Sequence, residues 1–415
     1  MQWQRETFSL DTVFPLSGNT MCRKISEAKN TVCMKKVIAL VIVAMLALHI
    51  SAQEQPNAEQ QKLWSQPDFV RASLVVVDPG SAVYSIFGHA CFRLECDYYD
   101  MDYCYTYEAV MVPNKIFRYL TGQLKMGMMA VPTSEYLQQY ASSSRGVKEY
   151  PLQLSIDAKR HLWQVLDEKV LQGNMPYDYI KRGCASSCIP IIERVLGKDS
   201  ISYPCPLEKE PTRREILDAF ARDAHPWQLF FVHMVAGTEI DRKLSGKENI
   251  ILPTQLAAFW QQTTLNNQPL LSSQPHELLP SAPSTDRQVV TPLMVAILLL
   301  LISLMSWKLT MPWWQYVMLV LTTIIGIVET YLVCFTSLPC TQWNWLIIPF
   351  NILPAVFWHW RRYWAVPYAA IIVLWTITMA MIPHRMTDPA CLILALAWAV
   401  VLLHFYKPFK FLSLC

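Results

Sequence analysis

The stretch VVTPLMVAILLLLISLMSWK, residues 289–308, carries no charge before its last residue. A run of about 20 apolar residues is what a helix needs to cross the hydrocarbon core of a bilayer. Four more such runs follow, so five spans are predicted at about 289–307, 313–335, 344–360, 365–383 and 389–406. Asn344, Pro349, Asn351 and Pro354 interrupt the third, which reads as a re-entrant or kinked element. If the spans alternate, Lys308, Arg361-Arg362 and Lys407/Lys410 share one side, and Arg287 and Arg385 the other. The positive-inside rule assigns the first group to the cytoplasm. Residues 407–415 are then a cytoplasmic tail, and everything before Val289 lies outside. Glu329 falls within the second span, where a carboxylate is a functional candidate by default. The bland alternative is a group solvated at the outer interface.

The N-terminal side reaches the same topology independently. Met34-Lys35-Lys36 reads as a basic n-region, Val37 to Leu48 as an apolar h-region, and Ser51-Ala52 as small residues before a cleavage point at Gln53. The sequence thus predicts a signal peptide over 34–52, cleaved without a lipid anchor. Translation is expected to start at Met34, with residues 1–33 a non-native extension.

A chain of 415 residues suggests about two domains. It is 53% hydrophobic and only 16% charged, and the apolar residues gather in the segments just named. The net charge of +3 is too small to favour nucleic acid, and no basic stripe or zinc-finger spacing is present. Six cysteines fall outside the membrane: Cys91, Cys96, Cys104, Cys184, Cys188 and Cys205. An oxidising compartment permits disulfides, and Cys96–Cys104 and Cys188–Cys205 are plausible pairs, with connectivity left open. No spacing suggests a metal site, and no metal or diffusible cofactor is expected.

The exported part, 53–265, reads as an α+β domain. Strands are predicted at Ser73–Val77, Cys91–Glu95 and Tyr103–Val110. Helices are predicted from the Ser155 cap to about Leu171, from Cys184 to Leu196 with Pro190 as a kink, after the Thr212/Glu215 capping box to Ala224, from Pro226 to near Gly237, and over Thr254–Thr264. Residues 266–288, rich in Gln, Ser and Pro, read as an extended linker.

Two stretches carry chemistry: Ile86-Phe87-Gly88-His89-Ala90, between a turn and a strand, and Tyr177-Asp178-Tyr179-Ile180-Lys181-Arg182-Gly183-Cys184-Ala185-Ser186, a loop entering a helix. A cysteine at a helix N-terminus feels the positive end of the macrodipole, which favours thiolate, and Lys181 and Arg182 would add to that. A histidine on a neighbouring strand can take the thiol proton and return it to a leaving group. The bland readings are a Cys184 locked in a disulfide or simply buried, and a structural His89.

Phe87-Gly88-His89-Ala90 with Arg93, then Tyr105-Thr106-Tyr107, then Tyr177-Asp178-Tyr179 leading into Gly183-Cys184-Ala185-Ser186, resembles the N-terminal periplasmic domain of Lnb-type lipoprotein N-acyltransferases. Gly237-Thr238-Glu239-Ile240-Asp241-Arg242 with Leu252-Pro253 and Leu256 resembles its end, so the likeness covers about 67–265. That domain type is similar to circularly permuted papain-like and lecithin:retinol acyltransferase-like folds, in which the histidine strand precedes the cysteine helix. The resemblance implies Cys184 as nucleophile and His89 as general base. Gly88, Arg93, Tyr107, Glu108, Asp178 and Gly183 are possible supports, with Glu108 and Tyr107 the candidates for an orienting third residue. It also implies a phospholipid acyl donor, a lipoprotein acceptor and the bacterial inner membrane. The sequence departs from the family where Gly183 replaces an Asn, Ser186 and Ser187 replace a Thr and a basic residue, and Glu108 replaces a Gly. The competing readings are an exported peptidoglycan endopeptidase or amidase using the same Cys and His, a phospholipase, and an inactive membrane assembly factor.

Overall fold

In the computed structural model the described residues are 58–110, 112–272, 274–281, 288–309, 311–382 and 386–405. The proposed signal peptide, Arg287, Arg385 and the tail from 407 lie outside them. The chain divides into two compact units, residues 1–66 and 67–415. The first contributes one described helix, Ala58–Trp64. The second holds everything that follows.

Seven strands make one sheet: β1 (Arg71–Val77), β2 (His89–Cys96), β3 (Met101–Ala109), β4 (Lys125–Pro132), β5 (Val147–Pro151), β6 (Met175–Pro176) and β7 (His276–Leu279). Their order is β7-β5-β1-β2-β3-β4-β6, with every neighbour antiparallel. The central strand β1 reads as an unbroken apolar run because both its faces are covered. Ala72, Leu74 and Val76 pack into one core cluster, and Val75 and Val77 into another.

Helix α1 (Lys115–Leu120) precedes β4, and α2 (Thr133–Ala141) lays Tyr136 and Tyr140 on the Val75/Val77 face. The other face takes α3 (Ile156–Leu171) and α4 (Cys184–Leu196). Ser155 caps α3 by accepting the Ala158 N–H at 3.2 Å, a contact worth about 1 kcal/mol. Helix α4 runs on through Pro190. Next come α5 (Arg213–Ala221), entered through the Thr212/Glu215 capping box, α6 (Pro226–Val235) and α7 (Pro253–Gln261). Trp260 of α7 is fully buried and stacks on Phe92 at 6.1 Å.

Two expectations need correction here. Residues 266–279 are not a free linker: Thr264–Leu265 and Gln268–Pro269 join Ile201–Ser202 in a small sheet, and β7 pairs with β5. The exported cysteines are all free. Cys96 and Cys104 are out of register, since Cys96 faces Met101 and Cys104 faces Arg93. The Cys188 thiol donates to the Cys184 carbonyl at 3.2 Å, while Cys205 is exposed.

The C-terminal bundle contains α8 (Pro292–Leu309), α9 (Pro312–Phe335), α10 (Arg361–Met381) and α11 (Pro389–Leu403). The helices α8, α9 and α10, the last counted with the turn from Trp358, are long and apolar enough to cross a membrane, while α11 is a shorter apolar helix. The third predicted span, 344–360, is no continuous helix. It consists of two 3-10 turns, Trp345–Ile347 and Trp358–Trp360, around the four-residue helix Leu353–Val356. Its backbone is satisfied by side chains, as irregular chain away from water requires. Asn351 donates to the carbonyls of Ile347 and Ile348, Tyr368 donates to Ile348 O at 2.8 Å, and Asn344 caps the first turn. Gly326 of α9 makes room for it, since a Cβ there would stand 2.6 Å from the Asn351 backbone.

The helix ends alternate. At one end Ser306 meets His404 at 3.2 Å and Arg361 lies over the Phe405 ring, so the Lys308 and Arg361-Arg362 ends gather there. At the other end Ser337 donates to Thr121 O, the Gly237 N–H donates to Cys340 O at 2.8 Å, and Arg222 pairs with Asp388 at 3.6 Å. The sheet domain is thus seated on the end away from the basic residues. Glu329 is fully buried in the bundle with neither carboxyl oxygen hydrogen-bonded, which removes the reading of a solvated interfacial group.

Candidate active site

His89 is the first residue of β2, and the preceding Gly88 fixes where it starts. Gly88 has φ +77°, and a Cβ there would stand 2.6 Å from the Val77 carbonyl oxygen. Both the left-handed backbone and the close approach to β1 call for glycine.

Cys184 is the first residue of α4. Asp178, 2% exposed, shapes the loop before it by accepting the N–H groups of Ile180 and Lys181 at 3.0 and 3.1 Å. Gly183 is the N-cap residue, and its N–H donates to Ser186 Oγ at 3.0 Å. A Cβ at 183 would lie 2.5 Å from the Tyr179 carbonyl oxygen. The loop therefore has no room for the asparagine found at this point in the resembling family. Gly183→Asn is expected to cost about 1–3 kcal/mol through overpacking, seen as a lower melting temperature in detergent. An unchanged melting temperature would show that the loop moves aside freely.

The two elements bring Cys184 and His89 close enough for each to shift the other's protonation. Burial pushes the Cys184 thiol up, but the His89 charge, the His89 hydrogen bond and the N–H groups of Ala90 and Ala185 outweigh it, and the thiol lies below its ordinary range. Burial pulls His89 down, and the Cys184 charge and hydrogen bond, with Glu108 behind them, carry it above its ordinary value. Both shifts run in the direction that favours a thiolate beside an imidazolium.

The other side of the ring is held as well. His89 Nε2 meets Thr106 Oγ1 at 2.7 Å, Thr106 Oγ1 donates to Glu108 Oε1 at 3.2 Å, and Nε2 is 3.8 Å from that carboxylate. With Nε2 engaged there, Nδ1 is the nitrogen left for the thiol. Of the two candidates, Glu108 is the one that faces the imidazole, linked to it mainly through Thr106. Tyr107, its strand neighbour, points the other way into the main core, and burial pushes its hydroxyl up to about 12. Thr106 was overlooked as a site residue. Its signal was period-two spacing from Glu108 on a strand, which places both side chains on one face.

Two further expectations fail. Arg93 stands four residues along β2 from His89 and pairs with Asp102 at 2.7 Å and Glu149 at 3.0 Å, so it braces the sheet and does not touch the thiol. Lys181 turns to Glu239 at 3.3 Å. The groups that favour the thiolate are His89 and the N–H groups of Ala90 and Ala185.

The site rests on the bundle. Cys340, just beyond α9, lies near Asp178, and Leu338 and Cys340 join Ile86, Ile180 and Leu252 in one buried cluster. Tyr119 of α1 packs against Tyr177 and Tyr179 at 5.9 and 6.2 Å, forming an aromatic wall beside Cys184.

A mixed α+β domain with a thiol and an imidazole brought together, followed by helices long and apolar enough to cross a membrane, is the class that fold and site define. Residues 57–212 match the family described as the Lnb N-terminal periplasmic domain, a stretch that includes both His89 and Cys184. That stretch is similar to the family its motifs resemble. No curated protein and no solved structure matches the chain.

Proposed function

We propose that the chain is a multi-pass enzyme of the bacterial inner membrane that moves an acyl chain from a phospholipid to the α-amino group of a diacylglyceryl-cysteine lipoprotein. The observation that supports this reading is that the loops leading to His89 and Cys184 pack, through Ile86 and Ile180, on Leu338 and Cys340 just beyond α9. Both substrates are lipids, and a catalytic domain held at the leaflet avoids exposing acyl chains at about 0.8 kcal/mol per CH₂. The order of histidine strand before cysteine helix fits a circularly permuted papain-like domain.

In this scheme the Cys184 thiolate attacks the ester carbonyl carbon of the phospholipid. The developing oxyanion is met by backbone N–H groups at the start of α4. Collapse of the tetrahedral intermediate breaks the ester C–O bond, and the His89 imidazolium protonates the departing lysophospholipid oxygen. The thioester is then attacked by the lipoprotein's free amine, whose proton passes to His89. The amide forms, the C–S bond breaks, and the thiolate–imidazolium pair is restored. Thr106 and Glu108 hold the ring through both steps.

The test is the mass of an abundant lipoprotein's N-terminal peptide in cells with and without the gene, in a strain lacking any other N-acyltransferase. Loss of one acyl chain on deletion is expected. An unchanged lipoprotein mass together with altered muropeptides would replace the acyltransferase reading by peptidoglycan hydrolysis.

A further inference from the structure

Helix α1, with the sequence KIFRYL, has two faces of opposite character. Tyr119 turns inward to the aromatic wall beside Cys184. Ile116 and Phe117 turn outward and are 78% and 56% exposed, although both are large and apolar. Their nearest neighbours say what covers them. Phe117 packs on Tyr331 at 5.7 Å, and Tyr331 on Phe335 at 5.3 Å. Both are in the last turns of α9. The chain after α1 is clamped to the same place, where Ser337 donates to Thr121 O and Gly122 abuts Ser337 and Leu338 closely enough to exclude a Cβ.

A 24-residue helix is about 36 Å long, more than the roughly 30 Å of a hydrocarbon core. Its last turn therefore lies at the boundary between acyl chains and headgroups. Ile324, Ile327 and Phe335 are exposed along α9, and the ring contacts of Tyr331 link Phe335 to Phe117 and so to the exposed Ile116 beside it. Lys115 and Arg118 flank that surface, and an apolar face beside basic residues is the pattern of an element lying in the membrane interface.

We propose that α1 is inserted into the outer leaflet through Ile116 and Phe117 and forms the lip over which a phospholipid acyl chain passes, along Tyr119 and Tyr177, to Cys184. The second half rests on the acyltransferase reading, and the first does not. The full-length protein is placed in nanodiscs of phosphatidylethanolamine and phosphatidylglycerol with a photoreactive benzoylphenylalanine at position 116, or at 98 in the β2–β3 turn as control. A phospholipid adduct on the intact protein is expected at 116 and not at 98; no adduct at 116, or equal adducts at both, overturns the insertion. Phe117→Ser, at an exposed position, is expected to raise the KM for vesicle phospholipid about tenfold while kcat holds, as loss of one buried aromatic ring implies. An unchanged KM overturns the passage over α1. An adduct at 116, with the unsubstituted protein transferring no acyl chain, sinks the acyltransferase reading and leaves the insertion standing.

Discussion

Cys184→Ala is expected to abolish acyl transfer, and His89→Gln to reduce it by about 10²–10⁴-fold, the usual contribution of a positioned acid–base group. The two variants fail for different reasons, and alkylation separates them. In the wild type, Cys184 lies below the ordinary thiol range although burial alone would raise it, because His89 and two N–H groups favour the thiolate. Glutamine removes the positive partner and leaves the burial, so the thiol should rise. Iodoacetamide labelling of Cys184 near neutral pH should then slow markedly in His89→Gln and disappear in Cys184→Ala. The pH profile follows from the same signs. Below the lowered Cys184 pKa the thiolate is protonated; above the raised His89 pKa the imidazolium proton is lost. Activity should be bell-shaped between the two. His89→Gln labelling as fast as wild type at every pH would mean that the two residues are not paired.

The second large effect is on stability, at Arg214. This side chain is 1% exposed and holds Asp241 through two bonds of 2.6 and 3.0 Å. It also meets His233 Nδ1 at 2.8 Å and donates to the carbonyls of Ala236 and Gly237. Burial pulls His233 below its ordinary value, so its neutral ring accepts from Arg214 and donates from Nε2 to Asp218. Arg214→Met leaves the Asp241 carboxylate buried and unpaired, which costs about 3–5 kcal/mol, whereas removing both partners is often close to neutral. The single variant should melt on the order of 10 °C lower in detergent, and Arg214→Met with Asp241→Leu should recover much of that loss. Equal melting of the single variant and the wild type would show that water reaches Asp241.

What could be read from sequence follows a physical divide. Strands β1 to β3 and helices α3 to α7 were legible because their signals are local: β-branched runs, a serine cap, a capping box and a proline at the first turn. Strand β4, KMGMMAVP, has no β-branched run, and β5 is short and ends on proline, so neither announces itself. Strand β7 lies in a polar segment that only its pairing with β5 makes a strand. Cys184 and His89 were visible as residue types in suitable settings. Thr106 and the placement of Glu108 depend on the register of β2 against β3, and the true partners of Arg93 and Lys181 depend on which chains pack beside them. The interrupted third run was read correctly as irregular, but that its asparagines would satisfy its own carbonyls was not readable.

Leu338 and Cys340, which close the cluster under the nucleophile's loop, leave the ribosome long after Cys184 and only once α9 has been made. The sheet domain therefore emerges with the floor of its thiol loop missing, and receives it only after α9 and the residues beyond it have been made. On the proposed acyltransferase reading, the order of synthesis acts as a timer: the thiol loop gains its floor only once α9 exists, beside the lipids that the enzyme would use.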